Sequence, residues 1–201
     1  MKLDVVFPTP IWYDDLQILD DELDSIKDFC LYYEKNEPKK IVSNVNGYQS
    51  QSLEFKENYP DNFKRLLYSF QDSMIECLRQ MESPVTIELS NFWINVNRGT
   101  DFNTLHNHPR SSLSGVFYVH AEDSEAYLRF FRTSNEGFLY DQFKVKNHLL
   151  DEYVKVTPRS RKLLIFPSWI KHDVMPGKPG SLRISIAFNS NIKNNDNIQK
   201  N

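Results

Sequence analysis

Between residues 59 and 81, apolar side chains recur every three or four positions: Phe63, Leu66, Leu67, Phe70, Met74, Cys77, Leu78 and Met81. That is the signature of one buried helix face, and Ser83-Pro84 ends it. A weaker stripe upstream, Leu23, Ile26, Phe29, Cys30 and Tyr33, predicts a first helix, with Asp20 and Asp21 available as its N-cap. Residues 3–13 read as a strand, in which Leu3, Val5, Phe7 and Ile11 are apolar and Pro8 and Pro10 impose an extended or bulged path. The stretch 35–57 is polar and irregular, with turn chemistry at Asn46-Gly47-Tyr48. From residue 85 the period changes from 3.6 to two, and strands are predicted over 85–97, 113–120, 125–132, 152–157, 161–167 and 182–190.

Helices followed by antiparallel-looking strands predict an α+β chain that is mainly β. Its core is expected to be a double-stranded β-helix (jelly roll), with the N-terminal helices packed against it. Residues 1–190 form one domain in this reading, with strand and helices in 1–84 and the β core in 85–190. The polar stretch 191–201 is expected to be a disordered tail. No internal repeat is present.

Composition narrows the function classes. A chain of 201 residues can bury a core and still cover a cleft. A net charge of -3 gives no reason to expect nucleic acid or an anionic membrane as a partner. No apolar run reaches the length of a membrane span, and the N-terminus lacks a signal-peptide pattern. Cys30 and Cys77 fall on the two helical stripes, which predicts buried, reduced thiols and fits a cytoplasmic protein. A homodimer is among the assemblies the sequence allows.

The candidate chemistry lies in the β half. His106-Asn107-His108 places two imidazoles one residue apart, so both can reach one metal where the backbone turns at a strand end. His172 can supply a third ligand and close one triangular face, leaving the opposite face open for a chelating cosubstrate and dioxygen. Eleven residues further on, Arg183 offers a guanidinium fork for a carboxylate, which a metal site alone does not need. Arg183 and Ser185 share one face of their strand, while Ile184, Ile186 and Phe188 share the other. Alternation also makes Asn95, Asn97, Ser114 and Tyr118 candidates for the cleft wall, and Trp93 and Trp169 are expected to frame it. Asp173 is expected to point away from His172 toward solvent. His120 and His148 match no motif.

Each candidate has a plainer reading: loop histidines for the first three, and a structural salt bridge for Arg183. The motifs in combination favour chemistry. Residues 93–99 (Trp-Ile-Asn-Val-Asn-Arg-Gly), 106–109 (His-Asn-His-Pro) and 113–119 (Leu-Ser-Gly-Val-Phe-Tyr-Val) together resemble the 2-oxoglutarate/Fe(II)-dependent oxygenases. So do residues 164–172 (Leu-Ile-Phe-Pro-Ser-Trp-Ile-Lys-His) and 183–189 (Arg-Ile-Ser-Ile-Ala-Phe-Asn), and the likeness is nearest to a small bacterial and phage group. Phe7-Pro8-Thr9-Pro10 also looks like the opening of that group.

The resemblance implies Fe(II) on His106, His108 and His172, and 2-oxoglutarate chelating the metal with its distal carboxylate on Arg183 and Ser185. Asn95, Ser114 and Tyr118 would line the cosubstrate site. The reaction implied is dioxygen-dependent hydroxylation of an unidentified substrate, with release of succinate and CO2. His108 stands where the family usually has a carboxylate. A halogenase, which needs that ligand position vacant, is therefore disfavoured. Two alternatives stay open: a three-histidine cupin-type dioxygenase that uses no 2-oxoglutarate, and a non-enzymatic metal- or ligand-binding module on the same fold.

Overall fold

The computed structural model describes residues 1–2, 4–121, 125–133 and 151–193. Two sheets face each other, and two helices cover the outer face of the larger one. The larger sheet contains β1 (Trp12–Asp15), β3 (Tyr48–Gln49), β4 (Thr86–Arg98), β6 (Leu113–His120), β9 (Lys162–Pro167) and β11 (Leu182–Lys193), in the order β1-β9-β6-β11-β4-β3. The smaller contains β2 (Asn44–Val45), β5 (Phe102–His106), β7 (Leu128–Phe131), β8 (Tyr153–Val156) and β10 (His172–Val174), in the order β2-β5-β10-β7-β8. Every ladder is antiparallel. This is the α+β, mainly β jelly roll that the change of period predicts.

The helices are α1 (Asp20–Asn36) and α2 (Asp61–Gln80). Their stripes are buried at Leu23, Ile26 and Cys30 and at Phe63, Leu66, Leu67, Phe70, Met74, Cys77 and Leu78. They pack against the outward residues of β4, β6 and β11, with Phe70 stacked on Phe188 at 4.5 Å between ring centres. Phe63 meets Phe92 at 5.7 Å in the same layer. Gly115 is required there, because a Cβ at this position would lie 2.2 Å from the Phe188 ring. A second, smaller core between the sheets joins Tyr118, Leu128, Phe130, Leu164, Phe166 and Ile170. Both cysteines are free and buried in the helical layer, and burial pushes the Cys77 thiol up to about 12.

Four expectations are corrected. The first strand spans only Trp12–Asp15, because pairing with β9 begins beyond the two prolines. Helix α1 is capped by Leu19 with no side-chain cap bond; Asp20, Asp21 and Glu22 instead sit in its first turn, where they complement the helix dipole. The segment 35–57 contains β2 and β3, which pair with β5 and β4. Strand β11 runs through Lys193, with Ile192 paired to Ile87, so Asn191–Lys193 is sheet and not tail. Residues 194–201 and His148 lie outside the described residues. His120 closes β6 and pairs with Ile184. Among the described residues no helix is long and apolar enough to cross a membrane.

Candidate metal centre and adjoining cavity

The three histidines come from two neighbouring strands of the smaller sheet. His106 ends β5 and His172 begins β10, and the two are direct partners in the ladder. Their rings therefore lie side by side, 4.3 Å between centres. His108 sits two residues past the end of β5, and its backbone N–H donates to the Ser168 carbonyl at 2.9 Å. That tie brings its ring to 5.2 Å from His106 and 5.0 Å from His172. One ligand nitrogen from each ring falls within 4.8 Å of the others. The set could hold a single cation.

Hydrogen bonds set the tautomers. His106 Nδ1 lies 2.7 Å from the Thr104 carbonyl, and His172 Nδ1 lies 3.0 Å from the Ile170 carbonyl. A carbonyl can only accept, so each Nδ1 carries the proton and each Nε2 lone pair is free for metal. Burial pulls the His108 pKa down to about 3, helped by the two neighbouring imidazoles. Burial and His106 pull His172 down to about 4, against the opposing pull of the Ile170 carbonyl and Asp173. His106 is also lowered, by burial. All three are neutral near pH 7, the form that ligates. Among the described residues no carboxylate joins the cluster. Asp173 lies on the other face of β10 and is not open to solvent, since Arg129 Nε donates to its Oδ1 at 2.8 Å.

The histidines open onto a cavity of about 280 Å³ between the sheets. Arg183, Ser185 and Ala187 of β11 line it from the larger sheet, while Ile184, Ile186 and Phe188 of the same strand enter the helical core. Arg183 is 3% exposed, and its one hydrogen bond among the described residues runs from Nη1 to the Ala126 carbonyl at 3.3 Å. Among the described residues no carboxylate comes within ion-pair distance of it. Burial lowers its pKa, opposed by Tyr118 and Asp101, yet a guanidinium stays protonated at any physiological pH. Burial pushes the Tyr118 phenol up to about 12, so beside Arg183 it is a neutral donor.

The remaining predicted site residues divide. Asn95 and Tyr118 line the cavity. Ser114 does not reach it: its hydroxyl is 2.7 Å from that of Ser168 and donates to Asn189 Oδ1 at 2.8 Å. Asn97 is buried behind the wall under Gly47, with neither amide atom hydrogen-bonded. Trp93 lines the cavity 5.5 Å from the His108 ring, whereas Trp169 is 50% exposed and frames nothing. Sequence reasoning missed Gln49, which β3 delivers to the cavity from a stretch with no period to reveal it.

The jelly roll thus brings three imidazoles that could hold a metal beside a buried arginine. Residues 91–189, just under half of the chain, match the family described as "Putative 2OG-Fe(II) oxygenase". Fe(II) and 2-oxoglutarate are accordingly its cofactor and cosubstrate. The fold is similar to that of a Pseudomonas putida prolyl-4-hydroxylase, at 14% identity over 90% of this chain and 92% of the other, TM-score 0.63. It is similar to the viral collagen prolyl hydroxylase of Paramecium bursaria Chlorella virus-1 in its 2OG complex, at 12% identity over 90% and 94%, TM-score 0.59. It is also similar to HygX of Streptomyces hygroscopicus with nickel and 2-oxoglutarate bound, at 11% identity over 90% and 82%, TM-score 0.57. No curated protein matches the chain in sequence.

Proposed function

We propose that His106, His108 and His172 hold Fe(II), and that Arg183 anchors the distal carboxylate of 2-oxoglutarate in a hydroxylase with three histidine ligands. One observation carries this reading: three neutral imidazoles and a buried arginine, with no carboxylate beside them among the described residues, face the same cavity. A buried unpaired cation is costly, and a dianionic ligand placed against it relieves that cost. The Tyr118 hydroxyl donates to the same carboxylate, and Ser185 and Asn95 continue the wall toward the metal. Ser114 holds Ser168 and Asn189 in place, and Ser168 in turn fixes the backbone at His108.

When bound, Fe(II) supplies dioxygen activation, coupling decarboxylation of 2-oxoglutarate to succinate and CO2 with insertion of one oxygen atom into a substrate C–H bond. The protein orients the cosubstrate with a bidentate arginine, keeps the ligand nitrogens deprotonated, and shields them with Trp93 and Phe166. The buried reduced thiols suit a cytoplasmic enzyme.

The test is succinate formation by purified protein given Fe(II), ascorbate and 2-oxoglutarate under air, with calorimetry under nitrogen to follow binding. Slow succinate release without added substrate is expected. Stoichiometric metal uptake with neither 2-oxoglutarate binding nor succinate would transfer the site to the cupin-type reading.

A further inference from the structure

The metal and the arginine leave one end of the cavity without a role. In the larger sheet Gln49 pairs with Asn95, Asn95 with Ser185, and Ser185 with Tyr118. The four make a row across β3, β4, β11 and β6, and all line the cavity. Their exposures are 8%, 8%, 5% and 2%, yet none of the four side chains has a hydrogen-bond partner among the described residues. Their polar atoms open onto the cavity, where a bound molecule can satisfy them.

One ligand cannot serve the whole row. Strands lie about 4.8 Å apart, so Gln49 and Tyr118, three strand intervals from each other, are separated by about 14 Å. A five-carbon diacid held by Arg183 and Tyr118 at one end does not span that distance. With that separation between their backbones, Gln49 is free to face a second molecule.

The chemistry of that end is uniform. The same cavity is lined by the carboxamides of Asn91, whose Nδ2 donates to Ser52, and of Asn103, whose Nδ2 donates to Ser43. No acidic side chain lines the cavity among the described residues, and Lys40 is the only lysine that does. The lip beside it is apolar: Val42 lines the opening at 64% exposed, and Ile41 and Leu105 extend it at 77% and 50%. The Thr104 N–H donates to the Ser43 carbonyl at 2.9 Å, which holds these two stretches side by side.

A carboxamide offers one donor and one acceptor in a single plane, the same pair that a main-chain amide presents in reverse. Among the described residues a charged substrate would find almost nothing at this end to neutralise it, and a phosphate would find one lysine at the rim. We propose that Gln49 is a specificity-determining residue for the prime substrate, and that this substrate is an uncharged peptide segment. Its main-chain amide lies against Gln49 and the neighbouring carboxamides, and its flanking side chains lie on the Ile41–Val42–Leu105 lip. This inference rests on the 2-oxoglutarate-dependent reading above.

The experiment uses the Fe(II)-loaded full chain with 2-oxoglutarate and ascorbate. The probes are peptides with acetylated N-termini and amidated C-termini, carrying neutral, acidic or basic side chains at equal length. Neutral peptides are expected to raise succinate release about tenfold above the peptide-free rate and to gain the mass of one oxygen. Gln49→Glu keeps the side-chain volume while removing the donor and adding charge. It should raise the KM for the peptide about tenfold and shift the KM for 2-oxoglutarate less than about twofold. Gln49→Ala gives the same split without a new charge. Peptide-free succinate release that no neutral peptide stimulates, or an equal rise in both KM values, overturns this inference alone. Absence of peptide-free succinate from metal-loaded wild type overturns the parent reading, and this inference with it.

Discussion

The two sheets differ in kind. In the larger one, β4 and β11 pair over Thr86–Arg98 and Leu182–Lys193, and helices cover one face while the cavity wall forms the other. In the smaller one, β10 has three residues and β5 has five, and a register irregularity interrupts their pairing just past His172. The long sheet supplies the hydrophobic free energy and the short one carries the candidate metal ligands. The histidine cluster therefore sits where strand pairing contributes least, while Arg183 stands on the best-paired strand.

This contrast can be broken from either side. The largest effect is expected from Phe188→Ala, which removes a fully buried ring from the helix–sheet layer and should destabilise the protein by about 3–5 kcal/mol. Urea unfolding reads this, and a loss below about 1 kcal/mol would mean that the larger sheet is not the scaffold. His172→Ala should do the reverse. Losing a ligand is more severe than losing a group that merely orients one, so Fe(II) affinity should fall more than about hundredfold while unfolding stays cooperative. Anaerobic titration showing wild-type affinity would remove His172 from the centre.

Arg183→Ala comes next, weakening 2-oxoglutarate binding by about 1.5–3 kcal/mol, the range for a hydrogen bond to a charged group. Calorimetry with Mn(II) under nitrogen would detect it, and unchanged affinity in folded protein would make Arg183 structural. The smallest effect concerns pH in the metal-free protein. His108 and His172 have folded pKa values of about 3 and about 4, below the value of about 6.5 in an unfolded chain. The unfolded chain thus binds more protons in acid, so stability is full above about pH 6.5 and declines as pH falls toward the folded values. Between about pH 6.5 and pH 5 each histidine removes at most about 2 kcal/mol. His108→Gln should flatten the pH dependence of the thermal midpoint, and an identical slope in the variant would show that His108 is not buried as described.

Legibility in the sequence follows the same division. Helix α2 and strand β6 are readable because many residues repeat one period, and β6 spans the predicted 113–120. Strands β4 and β11 are found to within a few residues for the same reason. Strands β5 and β10 are invisible: Phe102-Asn103-Thr104-Leu105-His106 spaces its apolar residues by three, and His172-Asp173-Val174 is too short to show alternation. Their histidines were nonetheless found, because imidazole is chemically rare while its strand is not. Alternation placed Arg183, Asn95 and Tyr118 on the cavity side, but it could not show that Ser114 spends its hydroxyl on Ser168 and Asn189. Gln49 reaches the cavity only through a two-residue strand whose pairing with β4 is tertiary.

The direct pairing of His106 with His172 has a mechanical side. An ion held between them would pin β5 to β10, and through His108 it would close a loop of 64 residues with a single coordination knot. Closing so long a loop restricts the unfolded chain, and an ion that binds only the folded form adds about 4 kcal/mol of stability at a thousandfold excess over its dissociation constant. The smaller sheet, poor in contacts of its own, would then draw its rigidity from iron supply. Its breathing, measured as amide exchange in β5 and β10, becomes a gauge of metal occupancy, while β4 and β11 exchange at one rate whether iron is present or withdrawn.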